Sequence, residues 1–432
     1  MKQVVIIAPQ FPPNNFAATH RSRYFAMHLA KFGWQPTVLT IDPSYYEEKP
    51  DNELAALLPA GLDIIRTKAM SIRPFRLFGD LSLRAFYWHY QALVRLIRSR
   101  TVDLIYIPVP PNYSVLLGYL MNRRFGVPYA IDYIDPIADP WPGSEKIFSR
   151  AWITYLVCCW LEPLALRRAS FLTAVAPGYY AGALKRNPWF DPKRCFGLPY
   201  GAEKEDFAYL DKYPRKPYLF DPSDGNFHIV YAGAMLPKAF STLEALFAAV
   251  VLIRKDNPGF AQKLRFHFIG TGSRPADPES YNILPYALRY GLEGIVTEHA
   301  ARLPFIDVLN HLKHSSAVLV MGSSEPHYTP SKVFQAVLSR KPVLGLLHSQ
   351  STAISILRES NSGTVVAFNQ NRPAGQCVQE IAQAIYQTVN LGSNLEKVNW
   401  EAFSAYSAES MTKQLAGIFD SMLKNKDERK EI

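Results

Sequence analysis

The chain has 432 residues, 48% of them apolar and 19% charged, which is too long for one compact core and too apolar for intrinsic disorder, so two domains are expected. Its net charge of +10 is uneven, about +9 on residues 1–200 and +1 on the rest, and surplus positive charge on one lobe selects for an anionic partner such as a phospholipid surface or a polyanion. Four unpatterned cysteines, Cys158 and Cys159 adjacent and Cys195 and Cys377 alone, exclude a disulfide framework and a C-x-x-C metal pair and fit reduced cytosol.

The start, Met1-Lys2-Gln3 before an apolar run at 4–8, is too short and too weakly basic for a signal peptide, and no run of about 18 apolar residues follows. A cytoplasmic protein that does not span a membrane is expected. Short apolar runs then alternate with amphipathic stretches: 4–9, a helical 19–32, 37–41, 62–65, a helical 82–99, 104–108, a helical 113–125 and 129–132. Such runs suit parallel strands covered by helices on both faces, so the first half predicts a doubly wound α/β sheet. The second half repeats the rhythm at 228–232, helical 241–254, 264–270, helical 279–290, 294–297, helical 304–314, 317–321, helical 331–339, 342–348 and 364–368.

Between the halves, 209–226 holds Pro214, Pro217, Pro222 and Gly225 among charged residues, the composition of a linker between domains at 1–208 and 227–400. A final helix over 401–424 is expected to pack back on the first domain, followed by a charged, frayed tail. Ligands of open α/β sheets sit at the carboxyl ends of strands, so two such domains imply an active site between them.

One strand-end loop is informative on its own. Thr329 is a plausible N-cap with Pro330 at the first helical position, and Val333, Phe334, Val337 and Leu338 continue a helix. Its free N–H groups, with Ser331 and Lys332, predict an anion site fitting a diphosphate. Gln335, three residues beyond Lys332, lies where a side chain reaches a sugar attached to it.

These motifs resemble glycosyltransferase family 4, retaining enzymes of the two-domain GT-B fold, over nearly the whole chain. The opening strand and loop Val4-Val5-Ile6-Ile7-Ala8-Pro9-Gln10-Phe11-Pro12-Pro13, with Arg21, look like the family's first element, although Asn14-Asn15 stand where members often have a glycine pair. The run Tyr129-Ala130-Ile131-Asp132-Tyr133-Ile134-Asp135-Pro136, with Trp141, is similar to a strand and loop of a family subset. Many members place a donor-contacting His there. The resemblance makes Asp135 the polar group facing the reaction centre, with Asp132 behind it or capping a turn.

Pro199-Tyr200-Gly201-Ala202 with Phe207 resembles the family's exit from the first domain. The segment Tyr231-Ala232-Gly233-Ala234-Met235-Leu236-Pro237-Lys238 resembles its diphosphate-holding element, with Ala234 at the usual Arg and Lys238 one residue early. In 325–335 the usual pair of acids is out of register: Gln335 replaces one, His327 stands at the other, and Glu325, two residues early, is the candidate substitute. Gly270 and Gly272 resemble a nucleotide loop, and the loop through Arg302 occupies the place where the family recognises the base. No metal and no cofactor are implied; a UDP- or GDP-hexose would be the substrate.

The implied reaction moves a hexose to an acceptor hydroxyl. In this family the first domain binds the acceptor, and its basic character bears on which one. Arg73, Arg76, Arg84, Arg95, Arg98, Arg100, Arg123 and Arg124 lie among aromatics, as suits an anionic bilayer surface. Residues 151–166, with Trp152, Tyr155, Trp160 and Leu161 between Arg150 and Arg167-Arg168, read either as a helix buried against the sheet or as a second membrane-facing one. A glycan or lipid-linked acceptor and a protein peripheral on the cytoplasmic face of the inner membrane are expected. The rival is a GT-B-like scaffold without activity, motivated by the missing acids and Arg. Nucleic-acid binding lacks any recognisable module.

Overall fold

Runs such as Val4-Val5-Ile6-Ile7 and Leu104-Ile105-Tyr106-Ile107 offer no polar face, and a strand of that kind needs helices over both sides of its sheet. The computed structural model, which describes residues 1–72, 79–140, 144–272, 274, 277–326, 328–392 and 398–427, supplies them in two units, Met1–Gly201 with Ala408–Ile432 and Ala202–Ser407.

The first unit has a seven-stranded parallel sheet of β1 (Lys2–Ile7), β2 (Trp34–Ile41), β3 (Asp63–Thr67), β4 (Leu104–Val109), β5 (Tyr129–Tyr133), β6 (Phe171–Ala174) and β7 (Cys195–Gly197), in the order β3-β2-β1-β4-β5-β6-β7. Its crossovers carry α1 (Ala17–His28), α2 (Asn52–Ala56), α3 (Leu81–Ser99), α4 (Val115–Phe125), α5 (Arg150–Leu166) and α6 (Pro177–Arg186). The second unit has six parallel strands, β8 (Phe227–Ala232), β9 (Leu264–Ile269), β10 (Val296–His299), β11 (Ala317–Met321), β12 (Val343–His348) and β13 (Gly363–Phe368), in the order β10-β9-β8-β11-β12-β13. Around them run α7 (Lys204–Lys212), α8 (Phe240–Asp256), α9 (Pro258–Ala261), α10 (Leu284–Arg289), α11 (Phe305–His314), α12 (Lys332–Leu338), α13 (Thr352–Glu359), α14 (Val378–Asn390) and α15 (Trp400–Ser404). Strands β6 and β7, of four and three residues, are too short to show in the apolar pattern. No helix among the described residues is long and apolar enough to cross a membrane.

The last helix, α16 (Ala408–Asp427), belongs to the first unit. Met411, Leu415 and Phe419, one turn apart, enter the core with Val4, Ile6, Phe25 and Tyr106. The Phe419 ring lies 5.1 Å from Trp34, 5.3 Å from Tyr106 and 5.9 Å from Phe171. The single helix expected over 401–424 is in fact two, broken where the chain passes between units. There Ala202 N donates to Tyr406 O at 2.9 Å, and Gly201, at φ +84°, lies so close to α16 that a Cβ would meet Met411 at 3.0 Å.

The boundary therefore falls at Gly201, before the expected linker at 209–226, which is docked within the second unit. Arg215 pairs with Asp307 at 3.1 Å, and the N–H groups of Tyr218 and Leu219 both donate to His311 Nε2. Phe220 stacks on His228 at 4.5 Å and His267 at 4.7 Å. These two rings bond to each other at 2.9 Å, with Asp224 on one side and Thr297 on the other. Proline and glycine signal irregular backbone; they do not signal an undocked one. Another helix, expected over 279–290, is confined to α10 because Glu298 takes the N–H groups of Asn282, Ile283 and Leu284 at its start.

Phe419→Ala is expected to cost the first unit about 3–5 kcal/mol, the penalty of an aromatic removed from a packed core. Chemical denaturation followed by tryptophan fluorescence checks it, and a loss below about 1 kcal/mol would mean that α16 contributes no core packing.

Candidate functional site

In the second sheet the chain moves outward from β8 through β9 to β10, then returns to the other side with β11. The loops after β8 and β11 therefore part in opposite directions at the strands' carboxyl ends, and such a switch point is where open α/β sheets bind ligands. Gly233, directly after β8, takes φ +113°, and a Cβ there would stand 3.2 Å from Lys332 Nζ. The Lys332 ammonium donates to Tyr231 Oη at 2.6 Å and lies 3.8 Å from the centre of that ring. Among the described residues no carboxylate pairs with it, and desolvation holds its pKa down to about 7.

The two loops are tied to each other. Lys238 Nζ pairs with Glu325 Oε1 at 2.8 Å, Ser324 N donates to Lys238 O at 3.0 Å, and Ser323 Oγ donates to Glu325 Oε2 at 3.2 Å. Beyond β9, Gly270 at φ +70° donates its N–H to His299 O, and Gly272 N donates to Ala300 O. A Cβ on Gly272 would strike Ser280 Oγ at 2.5 Å and Ala300 O at 2.8 Å, so packing dictates this glycine, whereas the positive φ dictates Gly270. Arg302 is in the next loop, its Cα 3.9 Å from the Cβ position of Gly270. Burial lowers the pKa of His299. The start of α10, already holding Glu298, is filled by the protein's own carboxylate.

Helix α12 corrects one expectation. It starts at Lys332 with Ser331 as its N-cap, and no side-chain cap bond forms; Thr329 Oγ1 is instead engaged with Thr352 Oγ1 at 2.8 Å, so Thr329 and Pro330 precede the helix. With seven residues, about two turns, its dipole is small, and the anion-binding capacity falls to the Lys332 ammonium. Gln335 is partly exposed one turn on. His327 lies outside the described residues. The resemblance placed Tyr231 and Gly233 in the diphosphate-holding element without giving either a role; the structure brings both against Lys332.

In the first unit, Arg21 and Asp132 are both fully buried and form a bidentate pair, Nε to Oδ2 at 2.5 Å and Nη2 to Oδ1 at 2.8 Å. Burial alone would lower the Arg21 pKa; Asp132 more than reverses this and keeps the guanidinium charged. The third donor, Nη1, reaches Pro199 O at 3.0 Å, and Thr173 Oγ1 donates to Asp132 while accepting from Tyr106. Every oxygen and nitrogen of the pair's core has a partner, which is the signature of scaffolding. Asn14 is buried, its Oδ1 accepting from Phe16 N and Thr19 Oγ1, and Asn15 Nδ2 donates to Asp51. Asp135 is exposed just past β5, with its N–H on Val109 O. Burial first, then the charge of Asp135, raises the pKa of Tyr200. Between the carboxyl ends of β1 and β4, the switch point of this sheet, a cavity of about 290 Å³ is lined by Gln10, Phe16, Tyr46, Asp80, Arg84 and Pro110, among others. Among the described residues no three His, Cys, Asp or Glu side chains are placed to hold a metal ion.

Asp132→Ala, which strands Arg21 as an uncompensated buried charge, is expected to cost about 3–5 kcal/mol in unfolding free energy. Lys332→Met should behave oppositely. A base whose folded pKa is depressed opposes folding fully below that pKa, and the folded state regains stability as pH rises from about 7 toward the ordinary value. The parent should therefore gain melting temperature relative to the variant between pH 7 and 10, and thermal unfolding of both across that range checks the sign.

Residues 17–201 match the family described as the glycosyl transferase 4-like domain. No curated protein matches the chain in sequence. Among solved structures, a sucrose-phosphate synthase from Thermosynechococcus elongatus is 14% identical with a TM-score of 0.66, covering 98% of this chain and 100% of its own. The Anabaena protein Alr3699/HepE, in complex with UDP and glucose, is 14% identical over the same shares, with a TM-score of 0.62. A UDP-forming α,α-trehalose-phosphate synthase from Burkholderia vietnamiensis is 11% identical, again over 98% and 100%, with a TM-score of 0.64. Residues 17–201 thus carry a glycosyl transferase 4-like domain, and the two doubly wound parallel sheets give the chain the GT-B fold that these solved structures share.

Proposed function

We propose that the protein transfers a hexose, with retention, from a nucleoside diphosphate sugar to a hydroxyl of a glycan or lipid-linked acceptor, at the cytoplasmic face of a membrane. The observation that carries this reading is the Lys332 ammonium, half-buried and desolvated at the switch point with no carboxylate paired to it among the described residues, and close to the Gly233 backbone. A diphosphate is the counter-charge that such a group lacks. As the bond from the sugar's anomeric carbon to the diphosphate breaks, negative charge grows on the departing oxygen, and a preorganised ammonium stabilises it more than it stabilises the substrate. Lys238, half-exposed and held by Glu325, is a second cation in the loop after β8. Gly270, Gly272 and Arg302 form the flank where a base would lie, with Thr329, Ser331 and Gln335 near the sugar. The first unit, with its cavity and the exposed Asp135, is the acceptor side.

The Anabaena protein binds UDP and glucose and the Burkholderia enzyme is UDP-forming, which favours uridine as the first donor to try. Thermal shifts against UDP, GDP, ADP and their hexose derivatives should show a nucleotide-selective rise that Lys332→Ala abolishes. No rise with any of them would favour the inactive scaffold. A bound diphosphate also raises the Lys332 pKa, so binding takes up a proton above pH 7. UDP-glucose affinity should then be flat below about pH 7 and weaken up to roughly tenfold per pH unit above it, measured by titration calorimetry. A flat profile through pH 9 would remove Lys332 from the donor site.

A further inference from the structure

The outer face of α5 is apolar and uncovered. Of fourteen large hydrophobic side chains exposed among the described residues, five fall within 147–160: Ile147 at 66%, Phe148 at 82%, Ile153 at 49%, Leu156 at 44% and Trp160 at 69%. Positions 153, 156 and 160 share one face of a helix, and Phe148 caps the same end through an edge contact with Trp152 at 5.6 Å. Phe148 also sits at φ +64°, a left-handed conformation that costs a bulky side chain free energy and that no buried contact of its ring repays. The helix's other side is the core-facing one, with Cys158, Leu161, Ala165 and Leu166 buried.

Charge says what covers this face. Lys146 and Arg150 stand at one end and Arg167 and Arg168 at the other, all exposed. Within 145–168 the acids are Glu145, before the helix, and Glu162, which is fully buried and clamped by Arg186 through both carboxylate oxygens at 2.9 Å. An apolar face with cations at both ends and no carboxylate on it has the polarity of the boundary between lipid headgroups and acyl chains. At about 25 Å, with charged ends, α5 suits lying in that plane. We infer that α5 and the turn before it insert into an anionic bilayer, with Phe148, Ile153, Leu156 and Trp160 entering the acyl boundary and the four cations on the headgroups. This deepens the lipid-linked acceptor reading and rests on it.

The test is flotation of the full chain with phosphatidylcholine vesicles, with and without phosphatidylglycerol. Binding is expected only with the anionic lipid and should weaken with salt. Phe148→Ser with Trp160→Ser, both exposed and so harmless to the core, should lower the bound fraction at least roughly tenfold, and Arg167→Glu with Arg168→Glu should weaken it too. No flotation at low salt, or flotation that the serine pair leaves unchanged, overturns the proposal. So does a concentration-dependent dimer in sedimentation that the serine pair abolishes, because a second copy would then be the occupant. Thermal shifts with UDP-glucose on the same variants, without vesicles, separate this surface from the donor site: they should match the parent, and their loss would show a damaged fold.

Discussion

A guanidinium and a carboxylate sealed from water by their own unit set the terms for the first half of the chain. Arg21 rises from α1 and Asp132 from the end of β5, and through Thr173, Tyr106 and the Pro199 carbonyl the pair touches β6, β4 and the segment that leaves the unit. Two buried charges are tolerable only when each is fully answered, and here each is. The loops that follow β1 and β5, with Asn14, Asn15 and Asp135 on them, hang from elements whose positions this pair fixes.

The second half offers the contrast that gives the site its meaning. Lys332 is also a desolvated cation beside an aromatic ring, yet it meets a phenol and a glycine backbone where Arg21 meets a carboxylate. The same physics that reads Arg21 as scaffold leaves Lys332 without an answering charge among the described residues, which is why the proposed donor site is centred on it. Near neutral pH it is poised between charged and neutral.

How much of this was legible varies with the range of the interaction. The sheet strands showed in the apolar runs because their burial on both faces is written locally, in Val4-Val5-Ile6-Ile7 for example, and the strand-end position of Lys332 followed. Its burial did not, since that depends on Tyr231, some hundred residues away in sequence. The Arg21–Asp132 pair is equally distant. Composition misplaced the boundary because the prolines of 209–226 mark irregular backbone, while docking depends on His228, His267 and His311, which belong to other elements. The two readings of α5 could not be separated from the sequence because both its faces are apolar, and the structure shows one face buried and the other in solvent.

The row of rings under Phe220 has a direction. Asp224 can only accept, so His228 carries a hydrogen on Nε2; in its neutral form it offers Nδ1 as acceptor, and His267 then donates from Nε2 and receives the Thr297 hydroxyl on Nδ1. Every tautomer is thereby assigned by one carboxylate at the solvent end. Burial holds the pKa of His267 down to about 3, so this ring stays neutral. Phe220 accordingly stacks on a polar wire that runs one way.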